Sequence, residues 1–234
     1  MKDPASSDPT SSLQPATGHS DTPPPAPPHE RGPQLRFHEK ETEQYHVCLG
    51  ATGLARGDAR RFALRILDTI FGGSTSSRLF QEVREKRGLA YAVYSYANHY
   101  QDSGQVGLYV GTRPDRVGEA VEVIGAELRR LQEDGVTEAE LELARENVKG
   151  RTVLSMESTL ARMNRLGSSV PMGVPLLTVD EVLAAFDAVT LDDLASLAGE
   201  LWQPERLSAA GVGGDEDVFR TALEAVSPQL AEAA

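Results

Sequence analysis

The chain has 234 residues, enough for one large domain with a real core, and its 35 acidic and 23 basic side chains leave a formal charge of −12. That balance repels phosphate backbones and anionic bilayers, so neither nucleic acid nor a membrane surface is an expected partner. The single cysteine, Cys48, excludes an intrachain disulfide and a thiolate metal cluster. With no signal-like start and no apolar span, the chain reads as cytoplasmic.

Nine of the 14 prolines precede Phe37, and no aromatic residue does. Residues 1–36 are therefore expected to be a disordered Pro/Ser-rich tail or linker, because they hold too little apolar surface to offset the entropy of ordering. The folded part is expected over residues 37–234. Tyr45 to Ala51 alternates apolar and smaller residues, which predicts a strand with one buried face and places Cys48 as an inert thiol. Phe62, Ala63, Ile66, Leu67 and Ile70 then recur at helical spacing up to Gly72-Gly73. Hydroxyls at Ser74 to Ser77 cap a second predicted helix through Arg78, Leu79, Phe80 and Val83, which Gly88 closes in a left-handed conformation.

Tyr91–Tyr100 and Gln105–Gly111 alternate well and predict an antiparallel hairpin. Val117, Val121, Ile124, Leu128 and Leu131 predict a long amphipathic helix. Thr137/Glu140 and Thr178/Glu181 are capping boxes, the first opening a helix expected to run towards Leu166; Thr190/Asp193 is a third. A last strand over Leu207–Val212 and a closing helix around Phe219–Val226 complete the order. Strands and helices do not alternate regularly, which points to an α+β fold, a mainly antiparallel sheet covered by helices on one face.

The run Phe71-Gly-Gly-Ser-Thr-Ser-Ser-Arg-Leu-Phe-Gln-Glu-Val-Arg-Glu-Lys-Arg-Gly-Leu-Ala-Tyr91, with Gly135-Val-Thr-Glu-Ala-Glu-Leu141 and Glu157-Ser-Thr-Leu-Ala-Arg-Met-Asn-Arg-Leu-Gly167, resembles the C-terminal half-domain of the insulinase/pitrilysin zinc metallopeptidases, of the mitochondrial processing peptidase type. The resemblance implies two similar halves closing on a peptide. Zinc is expected in the partner N-terminal half, on an inverted His-x-x-Glu-His helix, and no cofactor is expected in this chain. The nearest approach here, His38-Glu-Lys-Glu-Thr42, carries Thr where the second histidine would stand and is read as coincidence. The five histidines show no metal-ligand spacing.

The same resemblance gives Arg84 and Tyr91 as the pair that crosses the chamber to the substrate carbonyl, where a donor fixed in advance stabilises developing negative charge. Arg87, with Ser76 and Ser77, is a candidate substrate contact. Without the resemblance, Arg84 is a solvated helix residue, Tyr91 an ordinary strand aromatic and Arg87 a complement to the helix dipole. Gly72-Gly73 with the serines is no phosphate loop, since no Gly-Lys-Ser/Thr follows. The expected protein is a C-terminal half or heterodimeric partner subunit of a zinc metalloendopeptidase, inactive alone. The alternative is a non-catalytic assembly subunit of the same fold.

Overall fold

The computed structural model describes residues 32–171 and 173–233, so most of the segment expected to be disordered lies outside the described residues. Strands β1 (Leu35–Glu39), β2 (Tyr45–Thr52), β3 (Ala90–His99), β4 (Gly104–Thr112) and β5 (Ser208–Gly213) form one sheet in the order β1-β5-β2-β4-β3. Neighbours are antiparallel except β1 and β5, which are parallel. The helices are α1 (Arg61–Phe71), α2 (Val117–Glu133), α3 (Glu138–Ser155), α4 (Thr159–Ser169), α5 (Val179–Asp187), α6 (Leu191–Leu201), α7 (Glu216–Leu223) and α8 (Pro228–Ala231). The α+β class and the mainly antiparallel sheet expected from sequence are both present.

The strand period of two decides which face the helices cover. Val47, Leu49, Val93, Val106, Leu108 and Val110 are buried on one face against α1 and α2. Across the registers, His46, Cys48, Tyr94, Tyr96 and Tyr109 share the other face, and none of them is fully buried. Helix α1 contributes Leu64, Ile66, Leu67, Ile70 and Phe71 to the core, the last with its ring centroid 5.1 Å from that of Trp202. Each such side chain removed from water stabilises the fold by roughly 1.5–3 kcal/mol.

Helix α1 ends at Gly72 for a steric reason. A Cβ there would stand 2.3 Å from the backbone nitrogen of Ser95, so only glycine lets the helix end approach β3. The Ser95 hydroxyl donates to the Asp68 carboxylate at 2.6 Å, joining the same two elements. Burial pushes the Asp68 carboxyl above its ordinary value, opposed by the Ser95 hydrogen bond.

Four elements depart from the sequence reading. Strand β1 begins at Leu35, two residues ahead of the expected boundary, because Leu35 is buried and pairs with Ala209, a partner no local pattern reveals. The helix expected to run from Thr137 towards Leu166 stops at Ser155. Ser158 caps a new helix by accepting the Ala161 N–H, a local bond that competes with helix continuation. Residues Phe80–Glu85 form a π-helical segment rather than an α-helix, with the Lys86 N–H donating to the Gln81 carbonyl. A final short helix, α8, follows Ser227, whose hydroxyl caps it. The three capping boxes at Thr137, Thr178 and Thr190 are all present.

Arg78 ties the π-helical segment to the start of α3. It donates to both Glu140 oxygens at 2.6 and 2.9 Å and to the Gly135 carbonyl at 2.7 Å, with its own side chain 11% exposed. Burial alone would push Glu140 up, but the bonds from Arg78 and Thr137 win and hold its carboxyl down at about 2. Because the folded value lies below the unfolded one, this stability is present above about pH 4.5 and is lost as the pH falls towards about 2. In urea titrations Arg78→Ala should cost about 2 kcal/mol at pH 7 and flatten that acid limb. Gly72→Ala should cost about 3 kcal/mol, since the clash is with backbone that cannot swing away.

Candidate functional site

Tyr91 occupies a break in the β3–β4 ladder. Ala90 pairs with Thr112 and Ala92 with Gly111, so Tyr91 is the extra residue of a β-bulge. Regular alternation would have set it beside buried Val93. The bulge turns it outward, and it is 78% exposed. A bulged residue also leaves its carbonyl outside the ladder, and here that carbonyl accepts from Arg84 Nη1 at 3.0 Å.

The Arg84 guanidinium carbon lies 4.7 Å from the Tyr91 ring centroid and 4.8 Å from that of Phe80, so the cation sits between two aromatic faces. Each contact contributes about 0.5–1 kcal/mol at an exposed site. Glu85 lies 3.5 Å from Arg84 Nε. Gly88, at φ +61°, closes the segment through its N–H to the Arg84 carbonyl and the Leu89 N–H to the Val83 carbonyl. The turn returns the chain to the sheet, bringing two residues seven apart in sequence into contact. The Tyr91 hydroxyl has no hydrogen-bond partner among the described residues.

The other candidates lie elsewhere. Ser77 is 1% exposed and its hydroxyl accepts from the Phe80 N–H, so it caps the segment and faces no ligand. Ser76 shares a hydrogen bond with Ser74 and lines a crevice of about 30 Å³ beside α1 and α3, room for one water and no peptide. Arg87 turns back onto the Glu82 carbonyl and carboxylate, and Lys86 bonds the same carboxylate at 2.5 Å. These cations, Lys86 foremost, hold Glu82 below its usual value. Arg87 is thus already engaged within its own helical turn.

The sheet face away from the helices carries a set that sequence reading only partly found. Tyr94 and Tyr100 are both exposed. Tyr94 stacks across the strands on Tyr109, at 5.2 Å between centroids, and the Tyr109 hydroxyl lies 2.8 Å from His46 Nδ1. The period-two alternation of β4 was the signal that could have added Tyr109. Cys48 shares this face; burial pushes its thiol up, away from the reactive thiolate. Among the described residues no group of three or more His, Cys, Asp or Glu side chains could hold a metal ion. No helix there is long and apolar enough to cross a membrane.

The chain belongs to the family described as peptidase M16 inactive domain, whose model matches residues 6–148. It is 44% identical over 182 residues to an "uncharacterized zinc protease" of Streptomyces coelicolor, covering 77% of this chain and 40% of that protein. A Bacillus subtilis protein of the same description is 44% identical over 164 residues, covering 70% of this chain and 40% of its own length. The crystal structure of a peptidase M16 inactive domain from Pseudomonas fluorescens superposes with a TM-score of 0.71 at 22% identity, over 79% of this chain and 44% of that one. The chain thus spans about two fifths of the length of the curated relatives it matches.

Arg84→Met should free the Tyr91 ring while lowering global stability by about 1–2 kcal/mol, since the contacts it removes are at the surface. Thermal denaturation gives the stability, and the Tyr91 ring proton shifts report the stacking. A loss above about 3 kcal/mol would mark Arg84 as structural.

Proposed function

We propose that this chain is the C-terminal, non-zinc half of a zinc metalloendopeptidase, closing over peptide substrate against a zinc-bearing half. Arg84 and Tyr91 would present donors to the carbonyl oxygen under attack. The observation that carries this reading is the bulge at Tyr91, which removes a large aromatic residue from the core face and fixes its ring on Arg84, leaving the hydroxyl free to donate. A bulge that only terminated the strand would need no such residue.

Zinc in the partner half would supply the activated water. This chain's part is electrostatic. As the carbonyl becomes tetrahedral, negative charge grows on its oxygen, and the phenol and guanidinium stabilise it without reorganising, because the stack already orients them. Guanidinium hydrogen atoms not spent on the Tyr91 carbonyl remain available to the oxygen. Ser76 and Ser77 are turned away from this point and Arg87 is engaged by Glu82, so the substrate contact is assigned to Arg84 and Tyr91 alone.

The test is cleavage of a quenched fluorescent peptide by the chain reconstituted with a zinc-bearing half carrying His-x-x-Glu-His. Tyr91→Phe and Arg84→Ala should each lower kcat on the order of a hundredfold, with a smaller change in KM and unchanged association on size exclusion. The chain alone should cleave nothing. Wild-type rates from both variants would instead favour the non-catalytic assembly subunit.

A further inference from the structure

At the opposite end of β3 from Tyr91, about 26 Å away along the strand, a cavity of about 320 Å³ opens between the start of α1, helix α4 and the loop leading into α5. Phe62, Val174, Pro175, Leu176, Leu177 and Val182 supply apolar surface, with the Arg61 guanidinium 4.4 Å over the Phe62 ring, and Arg56, Arg61, Arg165 and His99 supply nitrogen donors.

Three arginines in one cavity of a chain with formal charge −12 would ordinarily be matched by carboxylates. None of the three forms an ion pair among the described residues, where eleven other cationic side chains do and seven do not. Asp58 is held by Arg60 through two side-chain hydrogen bonds and accepts from Arg61 only at its backbone carbonyl, at 2.9 Å. Burial lowers the affinity of Arg61 for its proton, and the charge of Asp58 opposes this only in part. Arg56 Nε is out of contact with water and has no hydrogen-bond partner among the described residues. Arg165 donates to the Leu177 carbonyl, which holds the α4–α5 loop over the cavity. His99 Nδ1 lies 2.8 Å from the Leu54 carbonyl, which fixes the proton on that nitrogen and leaves Nε2 for another partner.

We propose that this cavity binds a carboxylate carried on an apolar body, of the kind presented by the C-terminal residue of a peptide ending in a branched aliphatic side chain. The charge is matched by the guanidinium forks, which suit the two oxygens of a carboxylate, and the apolar surface takes the side chain. A volume near 300 Å³ fits one or two residues and no more. The site requires neither zinc nor a second half, so it is independent of the role assigned to Arg84 and Tyr91.

N-acetyl-L-leucine is the probe, titrated into the full chain and followed through arginine Nε–H resonances by NMR. Saturable shifts at Arg56, Arg61 and Arg165 are expected, with a dissociation constant on the order of a millimolar for a ligand of this size. N-acetyl-L-leucinamide, which lacks the charge, should leave these resonances unmoved, and acetate, which lacks the body, should bind about tenfold more weakly or less. Arg56→Gln removes a side chain with no hydrogen bond or ion pair among the described residues, so the fold should survive while affinity falls about tenfold or more. Leu176→Glu, at an exposed position, should abolish binding by supplying the chain's own carboxylate. Equal binding of the amide, acetate or inorganic phosphate would overturn the proposal, as would an unaltered titration of Arg56→Gln or the absence of any shift.

Discussion

The close approach of the end of α1 to β3, with Gly72 against the Ser95 nitrogen and Asp68 hydrogen-bonded to the Ser95 hydroxyl, is the constraint on which the rest of the structure depends. It seats α1, seven of whose eleven residues are buried, across the sheet and so defines the core. It also fixes where the chain leaves α1, and therefore where the next nineteen or so residues must turn before re-entering the sheet as β3 itself. The segment carrying Arg84 is a closed excursion anchored at both ends on one strand.

Within that excursion, two local irregularities act together. The π-helical segment widens one turn, and the bulge adds one residue to β3. Either alone would rotate Arg84 or Tyr91 away from the other. Both irregularities cost regular hydrogen bonding, and irregularities of this sort are concentrated where a protein positions side chains for a ligand. The core beneath them is complete, with Leu79, Val83 and Leu89 buried, so the site is mounted on rigid packing.

The charge distribution divides the molecule in the same way. Most cations are absorbed locally: Lys86 and Arg87 by Glu82, Arg78 by Glu140, Arg60 by Asp58 and Glu200. Arg84 is held chiefly by aromatic faces and a carbonyl, and Arg56, Arg61 and Arg165 by no carboxylate. A guanidinium without a carboxylate keeps its capacity for an external anion, and three of these arginines line one cavity at the far end of β3 from Tyr91.

Much of the fold was legible because local chemistry dictated it. Alternation marked β2, β3 and β4, and three capping boxes marked helix starts, since each depends on residues within a few positions of one another. Gly88 announced a left-handed closure, and the family resemblance of the surrounding run, not spacing by itself, gave Arg84 and Tyr91 as the candidate pair. What the sequence could not show was set by distant partners. Strand β1 exists because Leu35 finds Ala209, the π-helical register follows from packing against α2 and β3, and the outward turn of Tyr91 depends on the pairing of its neighbours with β4. The same holds for the three arginines at the far end of β3: they come from a loop, the start of α1 and α4, and only the folded chain brings their charges into one cavity, because electrostatic proximity is a property of position in space and not of order along the backbone.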